Sequence, residues 1–537
     1  MTLKERLILL SHTKQKSIMS ASIVLGITFV LSALLGFLRT RILYDRFYHT
    51  NVLDLDAFNA AFRLPDLVFK LLVTGALSAS FIPVYTSLLH HDKKEADKVA
   101  SSVINLLSLI FIVISFLIFI FATPFSRLIA HGFSPYQLSV MVSLTRILLL
   151  AQIFFLFSNF LTSILQVSQI FLIPALSPII YNIVIILSIY FLGPIFGVRG
   201  VAWGTVLAAF LHLLIQIPSL HHQGFKYSLI LNRKLTGVKE TIKMMIPQTF
   251  ATGVSEIENT VTLGFASLLI AGSVSLLNLA MQLMYLPSRI FSTTIGQASL
   301  PVLSKKIAEN KFDQYRDIVI RTVMQSLFLA LPVAVLILVL RLPLVRLVFG
   351  TRHFPWTATK ITATALGFLT PAIVCQAIIQ IIVRAFYAIH NTKIPLITAT
   401  ISLIICTISS LIFINYTQLG IAGLALGTAL GDLSQCIGLI ICFVFIIKNF
   451  KWTEILNRFL SIIFVSIIGG ICAWASMQFF DDYIFNTTRV IDVALVFALS
   501  SLIGLCGYLF SAYLLKIKEF EIYSAQIAKL KHFIYRK

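Results

Sequence analysis

GVRGVAWGTVL, residues 197–207, returns as GIAGLALGTAL at 420–430. Gly197, Gly200, Ala202, Gly204, Thr205 and Leu207 match Gly420, Gly423, Ala425, Gly427, Thr428 and Leu430 at one offset of 223 residues. Ile173-Pro174 and Ile394-Pro395 precede the two blocks at nearly the same offset, and FIPV at 81–84 against SLPV at 299–302 fits it more loosely. Glycines at such spacings serve close helix packing by themselves. Their identical order at a long fixed offset favours a duplicated architecture.

Outward from these blocks, apolar runs of membrane-spanning length recur along the chain. They lie at about 18–40, 58–89, 99–122, 137–165, 170–193, 199–220, 241–270, 274–303, 318–348, 357–387, 394–416, 420–447, 457–480 and 490–515. Backbone groups in hydrocarbon need partners within their own segment, so each run is expected to be helical. Composition agrees. Hydrophobic residues are 58% and charged residues 12% of 537 positions, where a soluble chain carries about 25% charged residues. The expected class is an all-α membrane protein of about fourteen spans. Six spans separate the repeat copies, an even number, so both halves share one orientation, as in parallel-repeat transporters.

The sequence divides accordingly into an N-terminal cytoplasmic segment (1–17), an N-lobe of spans 1–6 (18–222) and a linker (223–240). A C-lobe of spans 7–12 (241–447), a final pair of spans (457–515) and an amphipathic segment (516–537) follow. In that last segment Phe520, Tyr523, Ile527, Leu530 and Ile534 keep helical spacing among lysines, as expected of a helix lying on the inner leaflet. With both termini cytoplasmic, 27 Lys and Arg fall on that side. Nine face the opposite side (Arg39, Arg41, Arg46, Arg127, Arg199, Arg341, Arg346, Arg352 and Arg489). That asymmetry sets the expected orientation in a cytoplasmic membrane.

The net charge of +21 is therefore read as topology rather than nucleic-acid binding. The six cysteines lack C-x-x-C spacing and read as buried small hydrophobes. No G-x-x-x-x-G-K-[ST] loop is present, and no hydrolytic or glycosyl-transfer constellation stands out, so a transporter rather than an enzyme is expected.

The functional signal is polar residues on apolar helices. In span 2, Asp56, Asn59, Arg63, Asp66, Lys70 and Thr74 step by three and four and occupy an arc of roughly 80°. Span 8 repeats the pattern with Ser275, Asn278, Gln282, Tyr285, Arg289 and Ser292. Span 7 has Gln248, Thr252, Ser255, Asn259 and Thr262, flanked by Glu256 and Glu258, and span 1 has Thr28, Ser32, Gly36 and Arg39. Charges in a bilayer cost at least about 2.5–3.5 kcal/mol each, so such stripes are expected to face a cavity or a partner. One reading is a water-filled cleft between lobes lined by spans 1, 2, 7 and 8. The other is intrahelical pairing of Asp56 with Arg63 and of Asp66 with Lys70. Excess positive charge at Arg39, Arg41, Arg63, Lys70 and Arg289 favours an anionic ligand, with Arg suited to bidentate phosphate contacts. Asp432 in span 12, with Glu256 or Glu258, is the candidate for binding a coupling Na⁺ or H⁺; no other cofactor is expected.

LSALLGFLRTRIL at 31–43, DAFNAAFRLPDLVFKLLVTGALSASFIPV at 56–84 and GSVSLLNLAMQLMYLPSRIFSTTIGQASLPVLSK at 272–305 resemble the MurJ (MviN) lipid II flippases. That family belongs to the MOP superfamily, with MATE exporters and Wzx-type flippases. The resemblance implies two six-helix lobes, a central cationic cavity, and a last pair of spans grooved for an undecaprenyl tail. The implied task is moving lipid-linked peptidoglycan precursor across the inner membrane by alternating access, driven by an ion gradient or membrane potential; a monomer is expected. Arg39, Asp56, Arg63, Lys70 and Gly75 fit the family pattern. Ser32-Ala33, Phe69 and Gln282 stand where many members carry cavity arginines, and Tyr285 and Thr74 replace acidic residues; Lys70 and Arg289 would supply displaced charge. The alternatives are a flippase for another undecaprenyl-linked glycan, a MATE-like antiporter working through Glu256 and Asp432, and a non-transporting scaffold for envelope synthesis.

Overall fold

The computed structural model describes residues 18–74, 80–447, 450–486 and 489–524, and these are almost entirely helical. Eleven helices are long and apolar enough to cross a membrane. They correspond to expected spans 1, 3–6 and 9–14. The three others are helical too: spans 2 and 8 are each broken into segments shorter than a spanning helix, and span 7 is long enough but too polar. Span 7 is one helix, Thr236–Ser267, interrupted by polar side chains rather than by geometry. Span 2 is broken into Val52–Ala61, Arg63–Phe69, a π-helical turn Lys70–Thr74, and Ile82–His91. Span 8 runs Ser273–Pro287, a π-helical turn Ser288–Thr293, then Thr294–Ala308. Each half thus places a π-helical turn in its second span, and each turn carries a cation, Lys70 or Arg289. Such turns re-aim side chains and gather at functional positions.

The repeat is visible in the backbone. Gly197 and Gly420 cap the sixth and twelfth spans with the same conformation, φ 61° and ψ −146° against φ 54° and ψ −124°. That region is open essentially to glycine alone. Behind them, Gly204 lies so close to Ser188 of the preceding span that a Cβ would meet its Oγ at 2.0 Å and its Cβ at 2.1 Å. Gly427 meets Ser410 Oγ at 2.4 Å in the same way. The two glycine blocks are where consecutive spans touch backbone to backbone.

The chain packs as two units. The first comprises residues 1–275 with 351–354, and the second 276–350 with 355–537. The division by packing therefore falls after Ser275, and span 7 packs with the first unit rather than at the start of the second. Within the first unit, span 6 lies against spans 4 and 5, span 1 against span 5, and the opening segment of span 2 against span 4. The short segment 351–354 joins the end of span 1: His353 Nδ1 is 3.0 Å from Asp45, and Phe354 packs on Tyr48.

In the second unit, span 9 packs against spans 10 and 13. Tyr315 donates to the Ala385 carbonyl (2.8 Å) and Tyr508 of span 14 to the Phe328 carbonyl (2.7 Å). Spans 13 and 14 meet at Gly469, Ala473 and Gly504. Beyond span 14, Glu519 is fully buried against Arg458, and Tyr523 stacks on Phe328. This part of the amphipathic segment is thus seated on protein; Ile527, Leu530 and Ile534 lie outside the described residues.

Candidate functional site: a charged cluster on spans 1, 2, 4, 5 and 7

Neither intrahelical pair forms. Asp56 is buried, and its carboxylate accepts the backbone N–H groups of Gly272 (2.6 Å) and Ser275 (2.8 Å). Those N–H groups open the helix Ser273–Pro287, so Asp56 caps its positive end from another span. Asn59, one turn on, donates to Tyr44 Oη (3.1 Å) and Ser275 Oγ (3.0 Å), and Tyr44 Oη donates to the Ser275 carbonyl (2.9 Å). The first turn and a half of the span 2 stripe is therefore a clamp on the loop after span 7. Gly272 is required there, since its φ is +92° and Tyr48 Oη would lie 3.1 Å from an added Cβ.

Further along, the stripe changes character. Asp66 accepts from Gln152 Nε2 of span 4 at 2.7 Å. Lys70, at the start of the π-helical turn, pairs with both oxygens of Glu256 from span 7 at 2.9 and 3.0 Å. Their side chains are 38% and 13% exposed, so the pair is open on the lysine side. Thr249 of span 7 donates to the Leu71 carbonyl at 3.0 Å inside that turn. Asp66 lies within electrostatic reach of Arg63, Lys70 and Glu256. Arg63 is half-buried and has no hydrogen bond or ion pair among the described residues. Arg39 places its guanidinium 5.7 Å from the ring centroid of Tyr181 in span 5, a cation–π distance. Asn182 beside it donates to the Ser32 carbonyl (3.2 Å) and ties span 1 to span 5.

Arg39, Arg63, Lys70, Asp66 and Glu256 are thus drawn together within one unit, and cations outnumber carboxylates. Arg41 is half-buried two residues beyond Arg39, and Glu258 is half-buried on span 7. Gln282 and Asp432 belong to the second unit, where Asp432 is buried and accepts from Gln376 Nε2 at 2.9 Å. The side chain of Arg289 lies outside those described, as do residues 75–79 with Gly75.

Gln152, Tyr181 and Thr249 were not found from the sequence. Gln152 and Tyr181 lie in largely apolar helices with no periodic stripe to mark them, and Thr249 lies in span 7 one residue off the stripe that runs through Gln248 and Thr252. For Gln152 the available signal was the isolation itself, in ILLLAQIFFLF.

Residues 51–529 match the family model described as lipid II flippase MurJ. The lipid II flippase MurJ of Burkholderia cenocepacia is 26% identical over 437 residues, covering 79% of this chain and 84% of the relative. The probable lipid II flippase MurJ of Treponema pallidum is 25% identical over 513 residues, covering 92% and 95%. Among solved structures, a lipid II flippase MurJ in an inward closed conformation superposes with a TM-score of 0.75 at 26% identity, over 92% of this chain and 99% of that one. An inward-facing MATE-family multidrug transporter of the MOP superfamily shares the fold alone, with a TM-score of 0.63 at 16% identity over 78% and 97%.

Proposed function

This chain belongs to the lipid II flippase MurJ family, and from that premise we propose that Arg39, Arg63 and Lys70 receive the anionic diphosphate of lipid II as the molecule carries it across the inner membrane by alternating access. The observation behind the assignment of residues is the charge pattern of the first unit. Among the described residues Arg63 makes no hydrogen bond or ion pair and has Asp66 only within electrostatic reach, Arg39 is engaged by the uncharged Tyr181 rather than by a carboxylate, and Lys70 pairs with the single carboxylate of Glu256. The pair is open on its lysine side, so a doubly charged phosphate group approaches Lys70 from there and competes with Glu256 for it. Two guanidinium groups then offer planar, paired donors to phosphate oxygens.

Asp56 and Asn59 take the second role, holding the start of span 8 in place rather than touching ligand. Glu256, released when the anion takes Lys70, is the carboxylate we assign to the coupling ion, H⁺ or Na⁺; Asp432 is the second candidate. Substrate-stimulated transport that follows a proton gradient and ignores Na⁺ selects H⁺, and the converse selects Na⁺. Both termini lie in the cytoplasm on this reading, the chain works as a monomer, and spans 13 and 14 carry the lipid tail. The work is transport without covalent chemistry.

The test is complementation of cells depleted of their own lipid II flippase. Arg39→Ala and Arg63→Ala are expected to fail while reaching the membrane at normal levels. Full growth with both variants overturns the assignment. A MATE-like antiporter would invert the ranking, with Glu256→Gln and Asp432→Asn disabling and the arginine variants tolerated.

A further inference from the structure

The linker after span 6 has its own architecture. Residues 225–232 run extended alongside the start of span 3, the helix Lys93–Ile120. Lys226 N–H donates to Asp97 Oδ2 (3.1 Å) and Ser228 N–H to Ser101 Oγ (3.2 Å). Asn105 Nδ2 donates to the carbonyls of Ser228 (2.9 Å) and Ile230 (3.0 Å), and Tyr227 Oη donates to Asn105 Oδ1. The register is a match of two periods. Asp97, Ser101 and Asn105 are one turn apart on one helix face, rising about 6 Å per step. Lys226, Ser228 and Ile230 alternate along one edge of an extended chain, rising about 6.6 Å per step. The two ladders stay in phase for three rungs.

The backbone ladder leaves most of the strap's side chains open: Leu229, Ile230 and Leu231 are exposed, Leu229 to 89%, as is the ring of Tyr227, whose hydroxyl reaches back to Asn105. Span 3 has no charged residue between Lys98 and Arg127. A hydrocarbon core of about 30 Å takes about 20 helical residues, which counted back from Phe121 reaches Ser102. Asn105, and with it the tip of the strap, therefore sits at the edge of hydrocarbon. Peptide groups there need partners, and the Asp97–Ser101–Asn105 ladder supplies them on one edge. The other edge is left to interfacial water and headgroups, which places the strap at the boundary and not deeper.

We propose that residues 225–234 form a membrane-interfacial anchor: Leu229 and Leu231 enter the acyl region of the leaflet on the Lys93 side, and Arg233 and Lys234, directly after the tip, bind the phosphates of anionic phospholipid. The occupant follows from charge complementarity as well as depth, since Lys93, Lys94, Lys98, Lys226, Arg233 and Lys234 crowd this end of the unit and the acidic residues among them, Asp92, Glu95 and Asp97, are half as many. The anchor fixes the linker that joins the two sequence repeats, and it goes beyond the flippase reading because it needs no substrate.

The experiment uses the full chain in vesicles. Leu229→Trp adds one emitter at an exposed position, read above the background of Trp203, Trp356, Trp452 and Trp474. In vesicles containing phosphatidylglycerol with brominated acyl chains, the added emission is expected to fall at least about twofold and to resist iodide. Quenching by iodide with no effect of bromine overturns the anchor. Adding Asn105→Ala is expected to lower the bromine quenching, and unchanged quenching refutes the ladder as what sets the depth. Quenching stronger with phosphatidylglycerol than with phosphatidylcholine, and equalised by Arg233→Ala with Lys234→Ala, supports the charged half; a difference that survives those changes refutes it. A failed complementation test leaves all three readouts unaffected.

Discussion

Residues of the span 2 stripe that look equivalent in sequence do different work, and substitutions separate them. Asp56→Asn removes a charge that caps two backbone N–H groups out of contact with water. The expected cost is about 1–3 kcal/mol, seen as a lower melting temperature of the purified protein with little change in ligand affinity once folded. Lys70 and Glu256 behave oppositely. Glu256→Gln frees Lys70 and is expected to tighten binding of diphosphate-bearing lipid by about threefold to tenfold, whereas Lys70→Ala weakens it. Equal affinities for both variants in a titration contradict the exchange. The stripe itself was legible because residues three and four apart share a helix face. Its partition was not. Which carboxylate caps a helix and which meets a cation depends on Gly272, Ser275, Gln152 and Glu256, and three of these belong to spans far along the chain.

Helices and their crossings carry the second set of expectations. At Gly204 an added methyl lies 2.1 Å from Ser188 Cβ, which no rotation of serine relieves, whereas at Gly427 the nearest atom is the Oγ of Ser410. Gly204→Ala is therefore expected to lower stability by about 1–3 kcal/mol and by more than Gly427→Ala, with Ser188→Gly restoring the former. Thermal unfolding in detergent checks the order. Beyond span 14, Arg458→Ala leaves Glu519 buried without its cation, an expected loss of about 3–5 kcal/mol, while replacing both by leucine is expected to recover most of it. At this scale apolarity located all fourteen expected spans, yet a criterion of length and apolarity returns eleven in the structure. Spans 2 and 8 are broken at the turns that carry Lys70 and Arg289, and span 7 carries the glutamate that meets Lys70. The lower apolarity of these three spans is the mark that the proposed site leaves on the sequence. Periodicity alone does not reveal a π-helical turn, because it inserts only a fraction of a turn into a stripe that still reads as three and four.

For the whole molecule, the duplication seen in GVRGVAWGTVL and GIAGLALGTAL fixed the expectation of two related halves, and the matching φ, ψ of Gly197 and Gly420 is its three-dimensional counterpart. The packing boundary after Ser275 was not legible, because span 7 belongs by sequence to the second repeat but seats its Glu256 and Thr249 against span 2. Transport as proposed depends on a group of cations in one unit receiving an anionic lipid headgroup. Its most direct test is the affinity of the purified protein for lipid II, with and without Arg63→Ala, measured from low to high salt. The prediction is binding at least about tenfold weaker in the variant, with a shallower salt dependence in proportion to the lost charge. Equal affinity and equal salt dependence in the two proteins would contradict it.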